Sequence, residues 1–201
     1  MLSERTVAEM VVYLGRAVCC EVPGGLTPAQ WTALRYFSRA NRFSRTVSAF
    51  ADFHLTTKGT ASQTVKSLVG RGFLTRTQSD RDGRSVIMDL TSAGRAFLAR
   101  DPLEALVGAL ARLPHQQRSD VAAGLARVIE DVAGKRGRRR FGVCKDCSFL
   151  CTAHQPGRQP AFTCRHVGES LQGQETRQLC VNFHPERDEG EASAPKQAGT
   201  P

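Results

Sequence analysis

Cys144 and Cys147 form a C-x2-C pair; Cys164 follows after 16 intervening residues and Cys180 after a further 15. Two thiolates at that close spacing grip one metal ion from a tight turn without straining the backbone, and two more arriving singly complete a tetrahedral sulfur set. The expectation is one four-cysteine metal centre per chain, with Zn2+ favoured and a [4Fe-4S] cluster, wrapped by one close pair and two distant cysteines, as the alternative. Cys151, His154, His166 and His184 lie in the same segment as substitute ligands, and Phe141, Phe149, Phe162, Leu171, Leu179 and Phe183 are interleaved among the cysteines. Roughly forty residues bury little core by themselves, so a metal would supply folding energy that packing cannot. Zinc there would be structural. A cluster there would make the segment responsive to redox state or iron.

A second chemistry is written in residues 56–91. Ala61, Val65, Leu68 and Val69 fall on one stripe of a helix. The rest of that helix offers Thr57, Lys58, Thr60, Ser62, Gln63, Thr64, Lys66 and Ser67, with no acidic residue. Short hydroxyls, one amide and two cations suit a surface that approaches a polyanion and hydrogen-bonds to base edges. Gln63 is the first choice for a base contact, because glutamine bonds bidentately to adenine. Gly70 and Gly72 are placed to end the helix. Residues 73–77 and 85–90 then alternate as two strands, joined by Ser79, Asp80, Arg81, Asp82, Gly83 and Arg84 as a turn. Arg81 and Arg84 on that tip are suited to a narrow, electronegative minor groove.

The elements that must hold this device follow from periodicity and capping. Val7, Met10, Val11, Leu14 and Val18 recur at helical spacing over residues 3–22, with Ser3 as N-cap, and Pro23, Gly24 and Gly25 stop the helix. Thr27, Pro28 and Gln30 form a capping signal for a helix through about Ala40, with Trp31, Leu34, Phe37 and Phe43 toward the core. A short helix over residues 46–54 precedes Thr56 and Thr57, either of which caps the next. Helix, turn, helix, hairpin is a winged helix-turn-helix. Beyond it, Thr91 opens a helix carrying Phe97, Leu98, Leu103, Leu106, Val107 and Leu110, kinked or reset at Pro102. A last helix, residues 115–133, carries Val121, Leu125, Val128 and Ile129 as its stripe. The first helix and the last two hold more apolar surface than a small winged core covers, and pairing with a second copy would bury it.

Charge divides the chain in the same place. Residues 1–140 hold 22 Lys and Arg against 12 Asp and Glu, whereas residues 141–201 hold 6 against 7. The basic part is the polyanion binder. The run Gly134, Lys135, Arg136, Gly137, Arg138, Arg139 and Arg140 reads equally as a solvated linker and as an arm on phosphates. No apolar run reaches the roughly 18 residues of a membrane span and no signal-peptide pattern opens the chain, so a cytoplasmic protein without a membrane partner is expected. In that reducing compartment the seven cysteines point away from disulfides.

From Ser3 to Ala133 the sequence resembles the MarR (multiple antibiotic resistance regulator) family. The resemblance rests on Leu26, Thr27, Pro28, Ala29, Gln30 and Trp31, on Thr57, Lys58, Gly59, Thr60, Ala61, Ser62, Gln63 and Thr64 with Leu68, and on the wing ending in Leu90 and Thr91. It implies a homodimer paired through its terminal helices, one reading helix per major-groove half-site of a pseudo-palindromic operator, repression in most cases, and release by a small-molecule or oxidant effector. It also assigns Arg81 and Arg84 to the wing arginines. Two departures stand out. The family's wing commonly reads Asp-x-Arg-Asp-x-Arg, whereas Ser79 stands at the first Asp and Asp80 comes one place late, leaving open which carboxylate braces which arginine. Oxidant-sensing members carry a cysteine near the start of the first helix, whereas Cys19 and Cys20 lie at its end and read as ordinary buried small residues.

The fold class expected is therefore mainly α with a small β-hairpin wing: a winged helix-turn-helix with dimerisation helices over residues 1–134, a basic linker at 135–143, a cysteine-rich module at 144–184 and a disordered tail at 185–201. The function expected is sequence-specific transcriptional regulation with no catalysis. A DNA-processing enzyme or a protein-interaction module using the winged helix as adaptor is the alternative, although the cysteine module shows no HExxH helix, acidic metal cluster or nucleophile-base pair.

Overall fold

Thr27 begins the best-defined element through a reciprocal cap: its hydroxyl accepts the Gln30 N–H at 3.3 Å while the Gln30 side chain accepts the Thr27 N–H at 2.8 Å. The computed structural model describes residues 2–19, 25–79, 83, 85–135, 141–154 and 159–185, without the side chains of Cys19, Ala133 and Lys135. Two compact units divide the chain, Met1–Arg139 and Arg140–Pro201.

The first unit runs α1 (Glu4–Cys19), α2 (Pro28–Arg39), α3 (Val47–Phe53), α4 (Lys58–Gly70), β1 (Leu74–Gln78), β2 (Val86–Leu90), α5 (Ser92–Leu98), α6 (Leu103–Ala111) and α7 (His115–Lys135). Ser3 caps α1 as expected, accepting the Thr6 N–H at 3.2 Å. The core forms where α2, α3, α4 and the hairpin meet, around Trp31, Leu34, Tyr36, Phe50, Val65, Leu68 and Met88. Its buried Tyr36, Ser44 and Asn41 are hydrogen-bonded, whereas the buried Trp31 Nε1 has no hydrogen-bond partner among the described residues. The Tyr36 hydroxyl donates to the Ser44 carbonyl at 2.7 Å, and the Ser44 hydroxyl to Asn41 Oδ1 at 2.7 Å. Phe43, expected in the core, is half-buried.

The turn between α3 and α4 closes by the Schellman pattern, Thr56 N–H to the Ala51 carbonyl at 3.0 Å and Leu55 N–H to that of Asp52 at 3.3 Å. This puts Leu55 at φ +53°, a left-handed conformation that a leucine adopts only against its own Cβ. Just before it, His54 lies flat on Phe50, centroids 5.4 Å apart and planes 7° from parallel. Desolvation there lowers the His54 pKa from its ordinary 6.5. The folded state therefore resists protonation that the unfolded chain accepts, so stability is lost as pH falls through about 6.5. Replacing His54 by Gln should flatten that slope, read as a smaller drop in urea midpoint between neutral and mildly acidic pH; an unchanged slope would remove His54 as its source.

Several element ends differ from the sequence reading for physical reasons. Gly70 is the last residue inside α4, and Gly72 alone, at φ +73°, makes the left-handed stop. The same closure takes the Phe73 N–H to the Leu68 carbonyl at 2.9 Å, so the strand starts at Leu74. Pro102 resets the helix and does not merely kink it. Asp101 holds the break, accepting the Leu103 N–H at 2.8 Å and the Arg35 Nε–H and Nη2–H at 2.7 and 2.5 Å. The apolar stripes of α1 and α7 are exposed.

The second unit contains β3 (Gly142–Val143), a 3-10 turn (Cys144–Asp146), β4 (Leu150–Ala153), β5 (Ala161–Cys164), β6 (Glu169–Leu171), a second 3-10 turn (Glu175–Arg177) and β7 (Leu179–Cys180). β3 pairs antiparallel with β7, and β4, β5 and β6 form an antiparallel sheet. Gly142 and Val143, read as linker, are thus part of the module. Pro185, assigned to the tail, bridges to Cys147. The remainder of the expected tail, most of the basic run, and Cys20 lie outside the described residues.

Candidate nucleic-acid interface and cysteine module

Thr57 fixes the start of α4 by accepting the Thr60 N–H at 3.1 Å. With Ala61, Val65 and Leu68 buried, helical rotation of about 200° over two residues turns Gln63 nearly opposite Ala61. Thr57, Lys58, Thr60, Ser62, Gln63 and Lys66 are all exposed and Thr64 is half-buried, so the seven residues assigned to the reading face share one helix and its outward side. Their chemistry is not uniform. Thr57 and Thr60 share a hydroxyl contact at 3.0 Å, and the Thr64 hydroxyl donates back to the Thr60 carbonyl at 3.1 Å. The side chains of Lys58, Ser62, Gln63 and Lys66 make no hydrogen bond or ion pair among the described residues.

Ser67 does different work. It accepts from Gln30 Nε2 at 2.9 Å, so one glutamine both closes the cap of α2 and grips the rear half of α4. Arg71 adds a second tie there, donating to the Gly25 carbonyl at 3.1 Å. The sequence reading placed Ser67 on the polar face and gave Gln30 a capping role only. A partner 37 residues away leaves no local signal.

The hairpin pairs Leu74 with Leu90, Arg76 with Met88 and Gln78 with Val86. Leu74, Met88 and Leu90 are buried on the inner face. β2 is held to the start of α3 by the Met88 N–H to the Arg45 carbonyl at 2.8 Å and by an ion pair between Arg45 and Asp89. At the tip, the Ser79 N–H reaches the Ser85 carbonyl at 2.8 Å and Gly83 takes φ +60°. Arg81 and Arg84, with Asp80 and Asp82, lie outside the described residues. Arg76, exposed on β1, is a cation on the wing's flank that the sequence reading left out.

In the second unit Cys144, Cys147 and Cys180 are buried and Cys164 is half-buried. The β3–β7 ladder sets Cys180 opposite Gly142, two residues before Cys144. The β4–β5 ladder sets Cys164 opposite Leu150, whose N–H bonds to the Cys147 carbonyl at 2.9 Å. As placed, the side chains stay apart: among the described residues no three His, Cys, Asp or Glu side chains form a group able to hold a metal ion. Among the described residues, too, no helix is long and apolar enough to cross a membrane.

Residues 24–85 match the model of the MarR family. No curated protein matches the chain by sequence. Among solved structures, the S. aureus MepR–DNA complex superposes with a TM-score of 0.55 at 15% identity, over 65% of this chain and 96% of that one. A MarR transcriptional regulator from Methanosarcina mazei Go1 gives 0.51 at 20% identity, over 65% and 99%. BldR from Sulfolobus solfataricus gives 0.51 at 20%, over 63% and 91%. The fold of the first unit is therefore the MarR winged helix.

Proposed function

We propose that this chain is a cytoplasmic, sequence-specific transcriptional regulator that binds double-stranded DNA as a homodimer and acts as a repressor. The observation that carries the reading is the outward face of α4, where Lys58, Ser62, Gln63 and Lys66 stand exposed without an intramolecular partner among the described residues, on a helix whose opposite side is locked in the core. A helix so presented lays its polar side chains against base edges in the major groove. The match of residues 24–85 to the MarR family, and a structural neighbour solved on DNA, support regulation over catalysis.

Dimerisation supplies the second reading helix. Val121, Leu125, Val128, Ile129 and Val132 form a continuous exposed stripe on α7, and Val7, Met10, Val11 and Leu14 another on α1. Apolar surface of this extent belongs in an interface, and a two-fold pair would set two copies of α4 on the half-sites of a pseudo-palindromic operator. The second unit carries the metal centre in this reading, Zn2+ in preference to [4Fe-4S], and is the part through which a redox or small-molecule effector would act.

Replacing Gln63 by Ala tests the reading. On duplexes selected by the protein from a random pool, affinity should fall by about 5- to 150-fold, with little change on non-specific DNA. Equal loss on both would show that Gln63 does not read bases.

A further inference from the structure

We infer that Arg45 and Asp89 are positioning residues for DNA binding: their ion pair holds the outer half of the wing at one angle to the reading helix α4, a role that rests on the DNA-binding reading above and deepens it.

The hairpin needs such a brace. Its buried apolar side chains, Leu74, Met88 and Leu90, lie in the half that joins the core. Farther out, Thr77 and Gln78 on β1 and Val86 on β2 are exposed, and Ile87 is half-buried. Two paired strands of five residues hold little shape by themselves in water, so that half keeps a fixed direction only through a contact outside the hairpin.

Asp89 reaches in two directions. One carboxylate oxygen pairs with Arg45 Nη1, and the other accepts the Thr77 hydroxyl at 3.4 Å, two residues nearer the tip than Thr75, the register partner of Asp89. The Arg45 carbonyl accepts the Met88 N–H at 2.8 Å, so the backbone and the side chain of one residue hold β2 side by side. Arg45 precedes Thr46, the cap of α3, and α3 runs through the Leu55 turn into α4. The wing and the reading helix are thereby joined through one ion pair and the backbone bond beside it.

Charge argues against the simpler roles. A carboxylate on a wing that approaches a polyanion repels phosphate, and it occupies an arginine that would otherwise attract one. Asp89 is the only charged partner of Arg45 among the described residues. The two side chains are 29% and 35% exposed, and an ion pair so placed contributes little to folding. Neither attraction for DNA nor stability accounts for Asp89, whereas a fixed wing angle does.

Full-length Asp89→Asn protein, and the double variant that adds Arg45→Gln, test this on duplexes selected by the wild type from a random pool. Asp89→Asn should bind a selected duplex about 3- to 10-fold more weakly although it gains a positive charge, and non-specific DNA no more weakly than wild type. The double variant, which returns to the wild-type net charge, should show the same loss, because one pair is broken only once. Hydroxyl-radical footprints of both should lose protection at some backbone positions and keep it at the rest, and both urea midpoints should match wild type. Unchanged or tighter binding by Asp89→Asn, a loss spread evenly along the footprint, or a fall in urea midpoint would overturn the positioning role. A wild type that selects no duplex from the pool would overturn the DNA-binding reading itself.

Discussion

In the homodimer proposed above, glutamate at both Val128 and Ile129 is expected to leave the protein monomeric and to weaken operator binding by at least about 100-fold. These side chains are 60% and 66% exposed on α7, the most exposed part of its apolar stripe. Within one chain they contribute little, so the winged unit of the isolated chain should keep its unfolding free energy to within about 0.5 kcal/mol. A two-fold interface would carry each change twice, so four carboxylates would be desolvated in an apolar seam. The loss on DNA comes from effective concentration, because a dimer that has placed one reading helix delivers the second as an intramolecular step. Sedimentation and gel-shift measurements on full and half operators separate the outcomes. A dimer that survives the double change would exclude this part of α7 from the interface, and a monomer that binds the full operator undiminished would exclude dimerisation from recognition.

Alanine at Gly94 should cost about 2–4 kcal/mol of stability and disturb the wing without touching it. A methyl group there would lie 2.1 Å from the Phe73 carbonyl oxygen and 3.0 Å from its carbon, both backbone atoms unable to swing aside. That carbonyl also accepts the Thr91 N–H at 3.1 Å, and Thr91 caps α5 through the Gly94 N–H at 3.0 Å. The methyl would wedge α5 away from the end of β2 and the start of β1 together. Urea unfolding gives the loss directly, with Gly70→Ala as its control: no atom lies near its added methyl, and inside a helix alanine should raise stability by up to about 1 kcal/mol. Equal effects at the two positions would remove the steric account.

What the sequence disclosed and what it withheld divide along range. The cap of α2, the start of α4 and the buried stripe of Ala61, Val65 and Leu68 depend on residues three to eight apart, and those spacings stand in the chain itself. The turn at Leu55 gave no such sign, because a left-handed leucine is tolerated only through closure bonds that α3 provides. The break before α6 was ambiguous because Asp101 is claimed by Arg35, 66 positions earlier. At the reading face the residue types were legible, but their division into outward groups and internally bonded threonines was not. In the second unit the cysteine spacing was plain, yet strands of two to four residues give no alternation long enough to tell an inner thiol from an outer one.

The bonds from Gln30 to Ser67 and from Arg71 to Gly25 tie the rear of α4, a helix seated on the core along Ala61, Val65 and Leu68, to a second part of the chain. Both grips lie behind its midpoint, and both lead to the stretch of chain immediately before and at the start of α2. A displacement of that stretch would reach α4 through these two ties, and with Ala61, Val65 and Leu68 seated along its length the helix would shift as one body. In the DNA-bound state proposed above, the position of Lys58, Ser62 and Gln63 over the bases would therefore be coupled to the chain at Gly25 and Gln30.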